Sequence, residues 1–259
     1  MSLPVVFVSH GAPVFATETG SAAVHLQTLG KRLAHAQGIV ILSPHWMTPG
    51  LRITTASALK TIHDFYGFPA ELYELQYPAQ GDLTLATRVR DALAASDFEA
   101  TFDAERGLDH GAWVPLRHMF PNAQIPIVQL SLPQRASAED AYAMGRALRP
   151  LADEGILIIG SGSLTHNLRD LRADGSPTLA YARNFVDAIR TALAAGDDDS
   201  VVHALDRSAD ARLAHPTSEH YLPLPFALGA AARPAAVSVL DGGIRYGALS
   251  MDSFVFETR

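Results

Sequence analysis

The chain has 259 residues, 48% hydrophobic and 18% charged, so it can bury a large core, and disordered, collagen-like and coiled-coil proteins are excluded. Its 20 Lys and Arg against 27 Asp and Glu give a formal net charge of -7, which argues against electrostatic binding of nucleic acid or an anionic membrane and favours a small-molecule partner. There are no cysteines, so disulfides, thiolate nucleophiles and cysteine-based metal sites are excluded.

Short apolar segments rich in β-branched residues alternate with longer segments of helical periodicity. The predicted strands are residues 4–9, 39–43, 52–57, 98–103, 125–132, 155–160, 236–240 and 250–257. The predicted helices are residues 21–36, 82–95, 137–149, 176–195 and 200–213. This alternation predicts an α/β fold with a central sheet, mostly parallel or mixed, flanked by helices. Without an internal repeat or a flexible linker, we expect a single domain over residues 1–259.

Two segments of low regularity, residues 61–80 and 103–112, are predicted as loops over the sheet, where binding sites are usually built. No segment approaches the roughly 20 apolar residues that a membrane span requires. The apolar residues 4–8 also lack the basic leader of a signal peptide. We therefore expect a cytoplasmic protein with no membrane partner.

Three of the 11 histidines lie just past the carboxyl ends of predicted strands. His10, His45 and His166 come after the first, second and sixth of these strands. In open α/β sheets the carboxyl ends of the strands form the edge where ligands bind. Because neutral imidazole binds zinc and ferrous iron, and also transfers protons, we expect a metal or acid/base site at this edge.

The other histidines differ in their expected roles. His110 lies in a loop, and His215 is expected either to shape the turn that presents His220 or to support a ligand from behind. His63 either lines the pocket or pairs with Asp64 on the surface. Structural roles are expected for His25, His35, His118 and His203. The sequence contains none of four common catalytic or binding motifs: the nucleophile elbow, the dinucleotide fingerprint, the P-loop and the H-E-x-x-H helix.

Six segments together resemble the class III extradiol ring-cleavage dioxygenases, and within them the single-chain 4,5-DOPA dioxygenase type. In order they are SHGAP at 9–13, SPHW at 43–46, TIHDFYGFP at 61–69, LDHGAW at 108–113, SGSLTHNL at 161–168 and HPTSEHYLPL at 215–224. Each segment is weak alone, but six in family order are specific. The resemblance implies one catalytic domain, an oxidoreductase that opens a catechol ring with O2 to give a semialdehyde.

The resemblance also implies a ligand set for one divalent metal ion. His10 and His45 would bind it with a third ligand from the Glu219–His220 segment, where His220 matches the family position. Family members are described with Fe(II) for catalysis and some are recorded with Zn(II), so the metal stays open. Ring-cleaving iron sites usually have two histidines and one carboxylate, and an all-histidine set would look more like a zinc site. Adjacent side chains point in different directions, so either Glu219 or His220 faces the metal.

Catalytic and substrate-binding roles follow from the same resemblance. His166 would be a fourth metal ligand or an acid/base residue. His110, with Asp109 behind it, resembles the pocket histidine that contacts the substrate or oxygen. His63 and Tyr221 are further predicted substrate contacts. The aromatic side chains expected to form walls for a flat ring are Trp46, Tyr66, Phe68 and Tyr221.

Two other functions remain open from the residues alone. The first is a zinc-dependent hydrolase in which Glu219 or Asp109 is the general base. The second is a catalytically silent protein that binds a metal or a small molecule on the same fold. The oligomeric state is also open, since the apolar strand 250–257 is either a core strand or an edge covered by a partner in a homo-oligomer.

Overall fold

The computed structural model describes residues 2–232 and 235–258. Strands and helices alternate along most of this chain. The strands are β1 (Val5–Ser9), β2 (Gly38–Thr48), β3 (Leu51–Thr54), β4 (Ala58–Leu59), β5 (Ala79–Gln80), β6 (Ala100–Asp103), β7 (Ile127–Pro133), β8 (Ile156–Gly162), β9 (Val237–Leu240), β10 (Ile244–Arg245), β11 (Leu249–Ser250) and β12 (Ser253–Phe256). The helices are α1 (Ser21–Arg32), α2 (Glu71–Glu74), α3 (Leu83–Ala94), α4 (His110–Met119), α5 (Ala138–Asp153), α6 (Ala180–Ala195), α7 (Asp198–Val202), α8 (Ala204–Arg207), α9 (Ala209–Ala214) and α10 (Pro223–Ala230).

Within the described residues, the central sheet has 8 strands in the order β6-β3-β7-β2-β8-β1-β12-β9. At its middle, β7, β2, β8 and β1 are parallel. The strands β12 and β9 extend the sheet in antiparallel pairing. The sheet is therefore mixed, and the predicted α/β class is confirmed.

Helices cover both faces of the sheet because its central strands are apolar on both sides. In β2, Val40 and Leu42 pack in one core cluster with residues of α3, α5, α6 and α10. Ile39 and Ile41 point the other way and pack with residues of α1 and α4. All four side chains are fully buried. This packing fixes the strands rigidly, so that the carboxyl ends of β1, β8 and β2 lie side by side.

Two strand predictions differ from the structure. β2 continues past its predicted end to Thr48, with an irregular register against β7 between Leu42 and Met47. His45 therefore lies within this irregular part of the strand rather than after it. The predicted strand 250–257 is divided into β11 and β12.

Two helix predictions also differ. α6 begins at Ala180, not at residue 176, because Leu179 is extended and donates its backbone N–H to Gly247 O. The predicted helix 200–213 is divided into α7, α8 and α9. Ser208 is extended between the last two, and its hydroxyl caps the start of α9.

Three helices fall outside the five predicted ones: α2, α10, and α4, of which only a short helix after Trp113 was expected. α4 lies partly in a segment predicted as a loop, and it begins after Asp109, whose carboxylate accepts a hydrogen bond from Ala112 N at 3.2 Å. α10 is apolar on all sides and fully buried, so it lacks the polar face that reveals most helices. Neither it nor any other helix in the described ranges is long and apolar enough to cross a membrane.

Glycines allow α5 and α10 to approach each other closely. A Cβ at Gly145 would overlap the backbone carbonyl of Phe226, and one at Gly229 would overlap that of Tyr142. We expect Gly145→Ala to lower the free energy of unfolding by about 1–3 kcal/mol, because the helices must separate. Urea unfolding measures this change. The control is Gly50→Ala, whose Cβ would have no atom within 4 Å. Equal losses in the two variants would contradict the explanation by close packing.

Candidate metal centre

The topology of the sheet brings histidines from distant parts of the chain to one edge. His10 follows β1 and donates its backbone N–H to Gly162 O at the end of β8, at 3.0 Å. His45 is in the irregular part of β2, on the other side of β8. His220 precedes α10, and its backbone carbonyl accepts a hydrogen bond from Ser163 N at 2.9 Å. Three separate segments are thereby tied to the end of β8.

The Nε2 atoms of these three histidines converge. The His45 Nε2 atom lies 3.2 Å from His10 Nε2 and 3.3 Å from His220 Nε2. Two imidazole nitrogens bonded at about 2.0–2.1 Å to one tetrahedral ion would be about 3.3–3.4 Å apart. The spacing therefore fits a set of nitrogen ligands around a single cation.

The Nδ1 atom of each ring faces an oxygen acceptor. His10 Nδ1 is 3.1 Å from Ser161 Oγ, whose own proton is donated to the carbonyl of Gly111. His45 Nδ1 is 3.5 Å from Asp64 Oδ2, and His220 Nδ1 is 3.1 Å from Glu219 Oε1. A proton held at Nδ1 leaves the lone pair of Nε2 directed at the point of convergence. These oxygens thus orient the three rings for cation binding.

Burial keeps the converging rings neutral. Desolvation, followed by repulsion from the neighbouring histidines, lowers the pKa of His10 and of His220 well below the usual value of 6.5. Desolvation and the nearby His110 lower the pKa of His45 to about 4, although two carboxylates partly oppose this. Neutral imidazole is the form that binds metal ions, so the site is in its binding form at neutral pH.

Asp64 joins this cluster to His110, the first residue of α4. Its carboxylate accepts hydrogen bonds from the His110 backbone N–H at 2.8 Å and from the ring Nδ1 at 3.0 Å. Partial burial would raise the pKa of Asp64, but the bonds from His110 outweigh it and lower the pKa to about 2. The His110 ring lies 4.0 Å, between centroids, from the ring of His45. One ionised carboxylate therefore contacts both histidines.

The aspartate that contacts the His110 ring is Asp64, not Asp109 as predicted from the sequence. Asp109 is fully buried, and instead of contacting the His110 ring it accepts hydrogen bonds from Ser43, from Gln129 and from Arg106 at 3.3 Å. Its position next to His110 in the sequence is misleading because a residue that caps a helix turns its side chain back onto that helix. The sequence suggests Asp64 only as a surface partner of His63, and nothing in its spacing indicates its contact with His110.

His166 contacts His220, at the side of the histidine cluster away from His110. Its ring stacks on His220, with centroids 3.5 Å apart and planes inclined by 6°. Burial lowers the pKa of His166 to about 4, so the ring is neutral. Potential ligand atoms of His166, Glu219 and His220 lie within 4.8 Å of one another, as do those of His10, His45 and His110. Geometry thus brings together five of the six histidines predicted for the site, all except His63.

The histidines open into a cavity of about 620 Å³. Its other walls are mainly apolar, and the large side chains lining it are Val14, Phe65, Tyr66, Phe68, Leu168, Leu171, Tyr246 and Leu249. Tyr66 and Phe68 thus take part in the wall as predicted. Tyr66 is 89% exposed, which places it at the rim. A planar aromatic ligand could be enclosed between these side chains and the histidines.

Three predicted pocket residues lie elsewhere. Tyr221 is fully buried and its hydroxyl donates to Val201 O at 2.6 Å, so it has no surface to offer a substrate. His63 does not line the cavity or pair with Asp64, because its Nε2 bonds Leu75 O at 3.0 Å. Trp46 is buried beneath the guanidinium of Arg106. The substrate contacts predicted for Tyr221 and His63, and the wall predicted for Trp46, are therefore corrected.

Comparisons with known proteins agree with this site. Residues 4–247 match the family described as "Catalytic LigB subunit of aromatic ring-opening dioxygenase". The chain is 37% identical over 254 residues to "4,5-DOPA dioxygenase extradiol" of Beta vulgaris, covering 96% of this chain and 95% of the relative. It is 39% identical over 255 residues to the protein of the same name in Escherichia coli strain K12, covering 96% and 93%. A crystal structure of an uncharacterized protein from Escherichia coli K12 has a TM-score of 0.83 at 34% identity and covers 98% of this chain and 100% of that one.

Proposed function

Because this chain belongs to the LigB family of aromatic ring-opening dioxygenases, we propose that it opens a DOPA-like catechol next to its two hydroxyls and forms a semialdehyde. O2 is the co-substrate, and both of its atoms enter the product. The catechol supplies the electrons, so no other reductant is needed. The observation that carries this proposal is the convergence of three neutral imidazoles beside His110, at the base of an apolar cavity. We propose that the whole chain acts as one catalytic domain.

His10, His45 and His220 are the proposed ligands of one divalent metal ion. Glu219 is not proposed as a ligand, because its carboxylate faces the Nδ1 atom of His220. When bound, the ion supplies Lewis acidity toward the catechol oxygens and, as Fe(II), a route for electrons between catechol and O2. Zn(II) would also bind to the same all-histidine set. We nevertheless propose Fe(II) as the metal that supports catalysis.

His110 is the proposed proton acceptor for a catechol hydroxyl. Its Nδ1 proton is held by Asp64, so the Nε2 lone pair is free to accept the proton. The ionised carboxylate of Asp64 then stabilises the imidazolium, as the aspartate does in a Ser-His-Asp triad. His110 returns this proton when the ring opens. Asp64 thus acts on the reaction through His110.

His166 is proposed as a second acid/base residue rather than a fourth ligand. It lines the cavity beside His220, whereas His110 stands beside His45. Because it is neutral, it can accept a proton from the second hydroxyl of the catechol. Phe65 and Phe68 would hold the flat ring and exclude water from it.

The positions of Asp109 and Glu219 give little support to the hydrolase alternative, which requires one of them as a general base. The buried carboxylate of Asp109 accepts hydrogen bonds from four donors, so it is not available to activate water. Glu219 bonds Thr217 and His220. Neither carboxylate lines the cavity.

Oxygen uptake tests the proposed function. Apoprotein is reconstituted anaerobically with Fe(II) or with Zn(II) and mixed with catechols that include L-DOPA and protocatechuate. We expect stoichiometric O2 consumption and a new visible absorbance in the iron form only. If neither form consumes O2 with any catechol while the metal stays bound, the chain is not a ring-opening dioxygenase.

The lowered pKa values predict unusual resistance of metal binding to acid. Three histidines with ordinary pKa values near 6.5 would lose about 1000-fold in affinity between pH 7.5 and pH 5.5, because protons compete for each ligand. Here the pKa of His45 is about 4 and those of His10 and His220 are well below normal, so all three stay neutral over this range. We expect a change of less than about 3-fold. Competitive Zn(II) titration against a chelator at each pH measures it, and a steep loss would contradict the burial argument.

A further inference from the structure

The cavity has one fully charged side chain. Its lining consists of histidines, apolar and aromatic residues, small residues and Arg172. Arg172 is exposed and lies at the rim with Leu171, which is 40% exposed, and Tyr66. None of the lining residues within the described ranges is an acid. A charged group on a ligand would therefore meet a single positive charge at the entrance.

The acidic residues nearest to Arg172 in the sequence are bound to other donors. Asp170 accepts hydrogen bonds from Tyr181 at 3.0 Å and from Asn167 at 3.1 Å. Asp174 forms an ion pair with Arg245. Within the described part of the chain, no carboxylate lies within ion-pair distance of the Arg172 guanidinium. Its charge is thus left available to the cavity.

The backbone around Arg172 is held in place. Its N–H donates to Tyr246 O at 2.9 Å. Gly247, with φ of +74°, has no side chain, and a Cβ there would lie 3.4 Å from Arg172 Cδ, in contact with its aliphatic stem. Arg245 binds both Glu18 and Asp174, which ties the segment after Arg172 to the wall beside Tyr246. The position of the charge is therefore built into the cavity rim.

We propose that Arg172 is a specificity-determining residue that selects catechols whose ring substituent ends in an anionic group such as a carboxylate. This inference rests on the proposed function. The chain has a formal net charge of -7, which by itself would repel such a substrate. A guanidinium at the entrance places a positive charge there and offers paired donors that match a carboxylate. Since Arg172 is exposed, water screens the interaction and its effect is moderate.

Three catechols that differ in charge test the proposal. The probes are 3-(3,4-dihydroxyphenyl)propionate, which is anionic, 4-methylcatechol, which is neutral, and dopamine, which is cationic. The readout is the ratio of kcat/KM for the propionate to that for 4-methylcatechol. We expect this ratio to fall about 10-fold in Arg172→Ala. In Arg172→Glu it should fall further, while dopamine gains relative to 4-methylcatechol. The propionate is used because it lacks the ammonium group of DOPA.

The matched control is Arg169→Ala. Arg169 is exposed and three residues away, but it does not line the cavity. This variant loses the same charge from the protein, so an effect of net charge would appear in both. The proposal requires the ratio to stay unchanged in Arg169→Ala. The proposal would be overturned by equal changes of this ratio in Arg172→Ala and Arg169→Ala, or by an unchanged ratio in both Arg172 variants.

A binding measurement separates this proposal from the proposed function. Calorimetry gives dissociation constants of the same catechols for the Zn(II)-loaded protein, without turnover. If no catechol is oxidised in any metal form but the propionate still binds more tightly through Arg172, the reaction is wrong and the anion preference stands. If ring opening occurs and the binding preference is missing, only the inference about Arg172 fails.

Discussion

Replacing His45 with alanine is expected to remove the bound metal and, with it, catechol turnover. Its Nε2 atom lies within 3.3 Å of the Nε2 atoms of both other proposed ligands. Its loss therefore removes the ligand that lies between the other two. Complete zinc sites bind with about 10–16 kcal/mol, or about 3 kcal/mol for each of four ligands, so we expect metal affinity to fall at least about 100-fold. Metal content after dialysis and O2 uptake measure the two effects.

The control for His45→Ala is His35→Ala, an exposed histidine outside the site. Far-UV circular dichroism of both variants tests whether the fold is retained. We expect His35→Ala to keep both metal and activity. Full metal occupancy in folded His45→Ala protein would show that the ion is bound elsewhere.

Replacing His110 with alanine is expected to lower kcat by about 100- to 10,000-fold, the usual contribution of a general acid/base residue. The three proposed ligands keep their own hydrogen-bond partners, so metal content should remain close to that of the wild type. Single-turnover measurements with Fe(II)-loaded protein separate chemistry from binding. Normal kcat in the variant would remove His110 from the mechanism.

Asp64→Asn tests the same assignment without deleting the imidazole. The two donors of His110, its backbone N–H and its ring Nδ1–H, occupy both oxygens of Asp64. Asparagine offers one oxygen, so one bond is lost and the ring is free to take the other tautomer. We expect kcat at saturating metal to fall about 100-fold or more.

Glu219→Gln is the informative comparison for Asp64→Asn. Glu219 contacts the ligand His220 but not His110, so its replacement should mainly lower metal affinity, by about 10- to 100-fold. If both variants lower kcat equally at saturating metal, Asp64 acts only as a support for the metal site. Restoration of activity in Glu219→Gln by added metal, without restoration in Asp64→Asn, would support its action through His110.

The sequence alone supports the architecture and the identity of the histidines. Alternation of strands and helices is a local pattern, and buried parallel strands are apolar throughout, so the α/β class follows from residues close in the chain. Because parallel strands end at one edge, histidines after β1 and β8 can be placed together without knowing side-chain positions. The ordered motifs identify the family, which the comparisons confirm.

Only the tertiary structure decides which side chains orient the histidines and which reach the cavity. Asp64 lies 46 residues before His110, whereas the adjacent Asp109 caps its helix and turns away. Tyr221 follows a proposed ligand but points into the core, because neighbouring side chains diverge. The sequence determines the residue types available at the sheet edge. The direction of each side chain depends on hydrogen bonds and packing across segments that are distant in the chain, and a one-dimensional pattern does not contain those contacts.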